Sequence, residues 1–221
     1  MKVALRGGHT LKSLGARLLF DEVEEDRKVY KAVLKYLIQG GFDVIDVTPP
    51  ENMSYPDELN YGIDKANREN ADLFVSIHFN NAYTTAKNIA IGSEVWVYDK
   101  KHEYAKRVQN KLVSLGFKDR GVKSLTEHNG KKLAELTKTK MRAMIIEVCF
   151  VESIVDYDIY KKNGHDLIGK RIAEGILNKT LVKPIDTNNF KIVCNGLSED
   201  KARKGVELLN KNGFNSSYIK M

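Results

Sequence analysis

Short apolar runs and longer amphipathic segments alternate along most of the chain. Residues 2–5 form a brief apolar strand that runs into Gly7-Gly8. From residue 22 to 39 the apolar positions Val29, Val33, Tyr36 and Leu37 recur at helical spacing, and Gly40-Gly41 stop the helix. Residues 42–47 read as a second strand closed by Pro49-Pro50, and 56–71 as a helix with Leu59, Ile63 and Ala66 facing inward. The β-branched run DLFVSIH, residues 72–78, predicts a buried strand. GSEVWVY (92–98) is another strand, 102–115 an amphipathic helix, AMIIEVCFV (143–151) a further buried strand, and 166–178 a last helix. This alternation predicts an α/β fold: a twisted, mostly parallel sheet flanked by helices.

The pattern changes near residue 180. TLVKPIDTNN has the proline and polar content of a linker, and the segment after it reads strand, helix, strand. The expected organisation is a catalytic domain over 1–180, a linker over 181–189, and a small C-terminal βαβ module over 190–221. A module of about 32 residues is small for a core of its own, so docking on the main domain or pairing with another copy is expected.

Composition narrows the class. The chain has 221 residues and a net charge of +7, which suits a polyanionic partner. The lysines are dispersed and no basic-aromatic stripe appears, so nucleic acid is not expected as that partner. Two cysteines, Cys149 and Cys194, are too few for a disulfide framework. The apolar stretch at residues 3–5 is too short for a secretory signal, and no run approaches a membrane span. The expectation is cytoplasmic synthesis without membrane insertion, with separate release if the target lies outside.

Two histidines occupy positions where α/β proteins gather ligands, the carboxyl ends of parallel strands. His9 follows the first strand through the glycine pair, and His78 ends DLFVSI. Either alone reads as an ordinary loop residue; together, in a chain with five histidines, they point to a metal. A catalytic zinc takes three protein ligands, so a carboxylate from the first helix should join them. Stepping back along the inward stripe from Val29 and Val33 reaches Glu25 and Glu22, whereas Glu24 should face solvent. Acids at a helix start are also common for dipole reasons alone. Glu147 interrupts the buried strand MIIEVCFV, where a carboxylate is costly unless something needs it. Strict alternation places Ile145, Glu147 and Cys149 on one face. Glu147 fits a general base beside a metal site; a buried pair with an arginine is the competing reading. Cys149 reads as a buried hydrophobe, and His102, His128 and His165 as surface or structural residues.

These pieces together resemble the zinc-dependent N-acetylmuramoyl-L-alanine amidases of the amidase type 3 family, found in autolysins and phage endolysins. The resemblance covers residues 1–180 and rests on three motifs in order: KVALRGGH, ANRENADLFVSIHFNNA and MIIEVCFV. GSEVWVY and DRGVK are also similar to family segments. The resemblance implies Zn2+ held by His9, Glu22 and His78, with Glu147 catalytic and Asn80 at a polar position that contacts substrate. Counting back from Gly41 as the family spacing requires reaches Glu22, with Glu25 as the alternative ligand. Two departures stand out: Met141-Arg142 replace the usual proline before the catalytic strand, and the loop TLKSLGARLLFD lacks the glycines and acids of many relatives.

The implied activity is hydrolysis of the amide between N-acetylmuramic acid and L-alanine in peptidoglycan, causing wall lysis. Anionic wall polymers are a further expected partner. The rival readings are a zinc peptidase acting within the stem peptide and a non-catalytic wall-binding module. The tail FKIVCNGLSEDKARKGVELLNKNGFNSSYIKM is similar to half of a SPOR-like glycan-binding repeat.

Overall fold

The computed structural model describes residues 1–83, 87–125, 133–181, 190–193 and 198–219. His128, Cys194 and residues 182–189 of the expected linker lie outside the described residues. A six-stranded sheet forms the centre, built from β1 (Lys2–Gly7), β2 (Asp43–Asp46), β3 (Leu73–Asn80), β4 (Ser93–Val97), β5 (Asp119–Ser124) and β6 (Arg142–Phe150) in the order β2-β1-β3-β6-β4-β5. The first four strands in that order are mutually parallel; β4 runs antiparallel to β6, and β5 follows β4 in parallel. The sheet is therefore mixed but mostly parallel, as the sequence predicted.

Helices α1 (Glu22–Gln39), α3 (Glu103–Val113) and α5 (Ile154–Leu177) cover one face, and α2 (Asp57–Arg68) with the single turn α4 (Ala134–Thr137) covers the other. The larger core joins Val29, Val33 and Leu37 of α1 to Leu5, Val75, Ile146 and Ile172. The smaller one packs Ala66 and Leu136 on Ala4, Phe74, Trp96 and Ile145. Burial on both faces explains why β3 and β6 read as continuous apolar runs rather than alternating ones.

Three differences from the sequence expectation have physical reasons. The last helix begins at Ile154, not near residue 166, because Ser153 caps its first turn through Asp156 N at 3.0 Å. Gly164, at φ 72°, then kinks it, which disguised the two halves as unrelated. Strand β5 has little β-branched content and sits at the sheet edge, formed by pairing with β4. The third difference concerns Cys149. β3 and β6 pair in register to His78↔Glu147, but Asn80 then faces Phe150, so β6 advances three residues while β3 advances two. This slip reverses the alternation. Cys149 lies with Ile146 and Val148 in the larger core, while Ile145 belongs to the opposite face, so Cys149 does not share the face of Ile145 and Glu147.

The tail folds as β7 (Phe190–Val193), α6 (Glu199–Lys211) and β8 (Ser216–Ile219), with β7 and β8 paired in parallel. Leu209 of α6 is fully buried in the larger core. Lys211 Nζ lies 3.9 Å from Asp46 Oδ2.

Candidate active site

The site sits beyond the carboxyl ends of β1, β3 and β6, where the parallel strands stop together. His9 follows β1 in the left-handed region, at φ 55°. His78 is near the end of β3, directly across from Glu147 on β6. Glu94, on the antiparallel strand β4, faces Glu147 from the other side. Glu22 is the first residue of α1, set by the Asp21 cap whose side chain accepts from Glu24 N at 3.3 Å.

One ligand atom each from His9, Glu22 and His78 lies within 4.8 Å of the others. Glu22 Oε1 is 3.4 Å from His9 Nε2 and 3.1 Å from His78 Nδ1. The carboxylate also accepts from Phe79 N at 2.9 Å and Ala16 N at 2.6 Å, so backbone donors from two segments fix its position. Burial opposes its charge, yet His78 and His9 hold the carboxyl well below the usual range. Two imidazoles and one carboxylate on a common centre form a donor set suited to a divalent ion.

The alternatives for the acid separate cleanly. Glu25 faces the helix side instead: Tyr160 Oη donates to its Oε2 at 2.5 Å and Lys28 Nζ to its Oε1 at 2.8 Å. Glu24 is exposed and pairs with Lys28, as expected.

Packing around the three side chains leaves no slack. Arg27 Nη1 and Nη2 donate to the carbonyls of Gly8 and His9 at 2.7 and 2.8 Å, tying the loop to α1. A Cβ on Gly8 would run into the His78 ring, and one on Gly15 would run into Glu22 Oε2. Gly8→Ala is expected to push His78 out of the cluster and lower divalent-ion affinity by at least about tenfold, the scale on which small displacements of ligand supports act. Isothermal titration against the folded variant measures it; wild-type affinity would contradict this packing.

Glu147 is the only partly exposed residue between Ala143 and Phe150, because it opens onto a cavity of about 280 Å³. Leu59, Leu133, Trp96 and Ile145 supply the cavity's apolar wall, and His9, His78, Asn80, Glu94 and Glu135 join Glu147 on its polar side. Among the described residues no lysine or arginine pairs with Glu147, and its buried Oε2 has no hydrogen-bond partner. The arginine-pair reading of this residue therefore fails. Burial pushes its carboxyl up to about 8; His78 opposes that shift, and Glu22, Glu94 and Glu135 add to it.

Asn80 and Glu94 are tied to each other. Asn80 Nδ2 and Trp96 Nε1 each donate to Glu94 Oε1 at 2.9 Å, and Arg120 Nε donates to Glu94 Oε2 at 2.8 Å. Asn80 Oδ1 accepts from Asn81 N at 2.8 Å. Sequence reasoning passed over Glu94, although it interrupts the apolar strand GSEVWVY much as Glu147 interrupts its own. It also missed Glu135, which sits on a helical turn too short to show periodicity, and Arg6, a charge at the end of β1. His102 caps α3, its Nδ1 accepting from Ala105 N at 3.2 Å, and burial pushes its pKa down to about 4. His165 is exposed.

Residues 3–178 match the family profile described as N-acetylmuramoyl-L-alanine amidase. The chain belongs to this amidase family. Among solved structures it is similar to the catalytic domain of the CD27L endolysin targeting Clostridia difficile, with a TM-score of 0.71 and 32% identity over 82% of this chain and 99% of that one. It is also similar to the N-acetylmuramoyl-L-alanine amidase AmiC2 of Nostoc punctiforme, with a TM-score of 0.68 and 25% identity over 80% of this chain and 96% of that one. A 38.4 kDa protein of Clostridium perfringens is 45% identical over 88% of this chain and 57% of its own length. The chain thus spans just over half of that curated relative. The amidase fold accounts for residues up to the end of α5 and leaves the βαβ tail outside the matched segment. Among the described residues, no helix is long and apolar enough to cross a membrane.

Proposed function

We propose that this chain is a zinc-dependent amidase that cleaves the bond between N-acetylmuramic acid and L-alanine in peptidoglycan. The observation that carries this reading is the triad His9, Glu22 and His78 beside an unpaired Glu147 that opens onto a cavity. His9, Glu22 and His78 would hold the metal. When bound, zinc supplies Lewis acidity to the scissile carbonyl and makes water available as a nucleophile near neutral pH.

The chain's own residues do the rest. Glu147 takes the proton of the attacking water and delivers it to the departing L-alanine nitrogen. Glu94, anchored by Arg120, Trp96 and Asn80, keeps the opposite wall in place. Asn80 lines the cavity, and a substrate group oriented there would share one of its existing bonds. Leu59, Leu133 and Trp96 give the cleft an apolar wall against which substrate can pack. The positive net charge draws the enzyme to anionic wall polymers, an attraction that salt weakens.

Mass spectrometry of muropeptides released from purified walls tests the reading. Free stem peptides beginning with L-alanine, with glycan strands bearing intact lactyl carboxylates, are the expected products. Fragments cut within the stem would instead make the protein a peptidase, and a wall-binding protein without products would make it a binding module.

Residues 1–180 are proposed to hold all of this chemistry, with residues 181–189 as linker and 190–221 as an attached module. A chain ending at Leu181 keeps the backbone N–H of Leu181 on Glu174 Oε1 at 2.9 Å, which closes α5. It is expected to bind zinc and hydrolyse isolated walls at rates within about threefold of the full chain. Loss of the buried Leu209 should lower its melting temperature by a few degrees, on the order of 2–3 kcal/mol for a leucine's burial. Loss of zinc on truncation would show that α6 is part of the catalytic domain.

A further inference from the structure

The proposed metal triad leaves a second ion cluster unexplained, directly behind His78. Arg6, at the end of β1, is fully buried, and the carboxylates of Glu58 on α2 and Glu135 on α4 are buried with it. The Arg6 guanidinium pairs with Glu58 Oε2, donates to the Glu58 carbonyl at 3.1 Å, and lies 3.2 Å from Glu135 Oε1. Three charges in a dry interior cost more than apolar residues of the same volume unless the arrangement does something.

The two nitrogens of the His78 ring reveal its use. Nδ1 looks into the triad, 3.1 Å from Glu22 Oε1. Nε2 looks away from it, 2.9 Å from Ser76 Oγ and 3.7 Å from Glu135 Oε2. A neutral imidazole carries one proton, so Nδ1 can offer a lone pair to a metal only if Nε2 holds the N–H. A serine hydroxyl donates or accepts equally well, so Ser76 alone does not choose between tautomers. A carboxylate only accepts. With Glu135 ionised beside both groups, the Ser76 hydroxyl turns toward it and its lone pair is left for Nε2–H. The Arg6 guanidinium, 3.2 Å from Glu135 Oε1, favours the ionised carboxylate, because an opposite charge this close stabilises the charged form.

We propose that Glu135, secured by Arg6, is a positioning residue that fixes the ring and proton of His78 so that Nδ1 faces the metal. This rests on the proposed zinc site and extends it to Glu135, which lies outside the three motifs. The gap in the sequence signal is understandable, since Arg6, Ser76 and Glu135 come from three distant segments that meet only in the fold.

The test uses the full chain with zinc alone as the probe. Glu135→Gln keeps the side chain's size and leaves Arg6 paired with Glu58, so no lone buried charge results. Its zinc dissociation constant, measured by competition with a chromophoric chelator, is expected to rise about 10–100-fold, the range typical of removing an outer partner of a metal-binding histidine. The metal-free variant should melt within a few degrees of the metal-free wild type. Ser76→Ala gives a second reading that does not disturb the Arg6 cluster: it should weaken zinc severalfold, and the double variant should lose less than the sum of the two. Wild-type zinc affinity in Glu135→Gln overturns this inference alone. So does a variant that melts lower with its affinity unchanged, or fully additive losses in the double variant. A wild-type chain that takes up no zinc overturns both this inference and the zinc reading beneath it.

Discussion

Glu147→Ala is expected to keep close to one zinc per chain while losing about 10²–10⁴-fold in amide hydrolysis, the usual contribution of general acid-base catalysis. The residue lies across from His78 in the sheet but belongs to the cavity side and is not one of the three clustered ligands. Metal retention and loss of rate should therefore separate. Its side chain has no cationic partner among the described residues, so its removal breaks no ion pair. It relieves a desolvation cost instead, and the melting temperature should hold or rise. Zinc content, melting temperature and hydrolysis measured on one preparation decide the matter. A rate within about tenfold of wild type would be too small a loss for this role, and a variant that is unfolded or zinc-free would remove its support.

The fold was legible where one physical demand dominated. Strands β3 and β6 are buried on both faces, and their apolar runs left no other reading. α1 announced itself through Val29, Val33 and Leu37 and through the glycines that end it. The parts that were not legible depend on neighbours. β5 is a strand because β4 offers it an edge, not because DRGVKS prefers to be extended. The slip after Glu147 comes from pairing with β3, and no local feature of VCF predicts that Cys149 will turn to the other core. α5 hid its first half behind Gly164.

The site shows the same division. His9, His78 and Glu147 could be singled out because each is anomalous in its own segment: a histidine after a glycine pair, a histidine ending an apolar strand, a carboxylate inside one. Glu22 was separable from Glu24 by helical geometry, but not from Glu25, since both lie on the inward half of the turn. Only the structure shows that Tyr160 draws Glu25 toward the helix packing while Phe79 N and Ala16 N hold Glu22 at the histidines. Arg6 and Glu135 had no such signal. Their meaning is relational, and a sequence does not display a relation between positions so far apart.

Substitutions at the acids of α1 carry the largest expected effect on the metal itself. Glu22→Gln should weaken zinc by well over about 100-fold, beyond the range seen when an outer partner of a ligand is removed, and hydrolysis should fall with it. The loss has two parts. The charge that balances the ion disappears, and the new amide can offer only one acceptor where Phe79 N, Ala16 N and the two histidines now converge on two carboxylate oxygens. His78→Ala and His9→Ala should likewise abolish zinc uptake while leaving the sheet folded, since neither residue belongs to the apolar cores. Glu24→Gln supplies the control: its pair with Lys28 lies exposed on the helix surface, where solvent screens it, so zinc, rate and melting temperature should stay at wild-type values. Glu25→Gln should keep its zinc and lose some stability, because the Tyr160 hydroxyl now donates to that carboxylate. Titrating zinc into each metal-free variant gives the order directly. A silent Glu22→Gln beside a zinc-free Glu25→Gln would move the ligand along the helix and undo the assignment built on the triad.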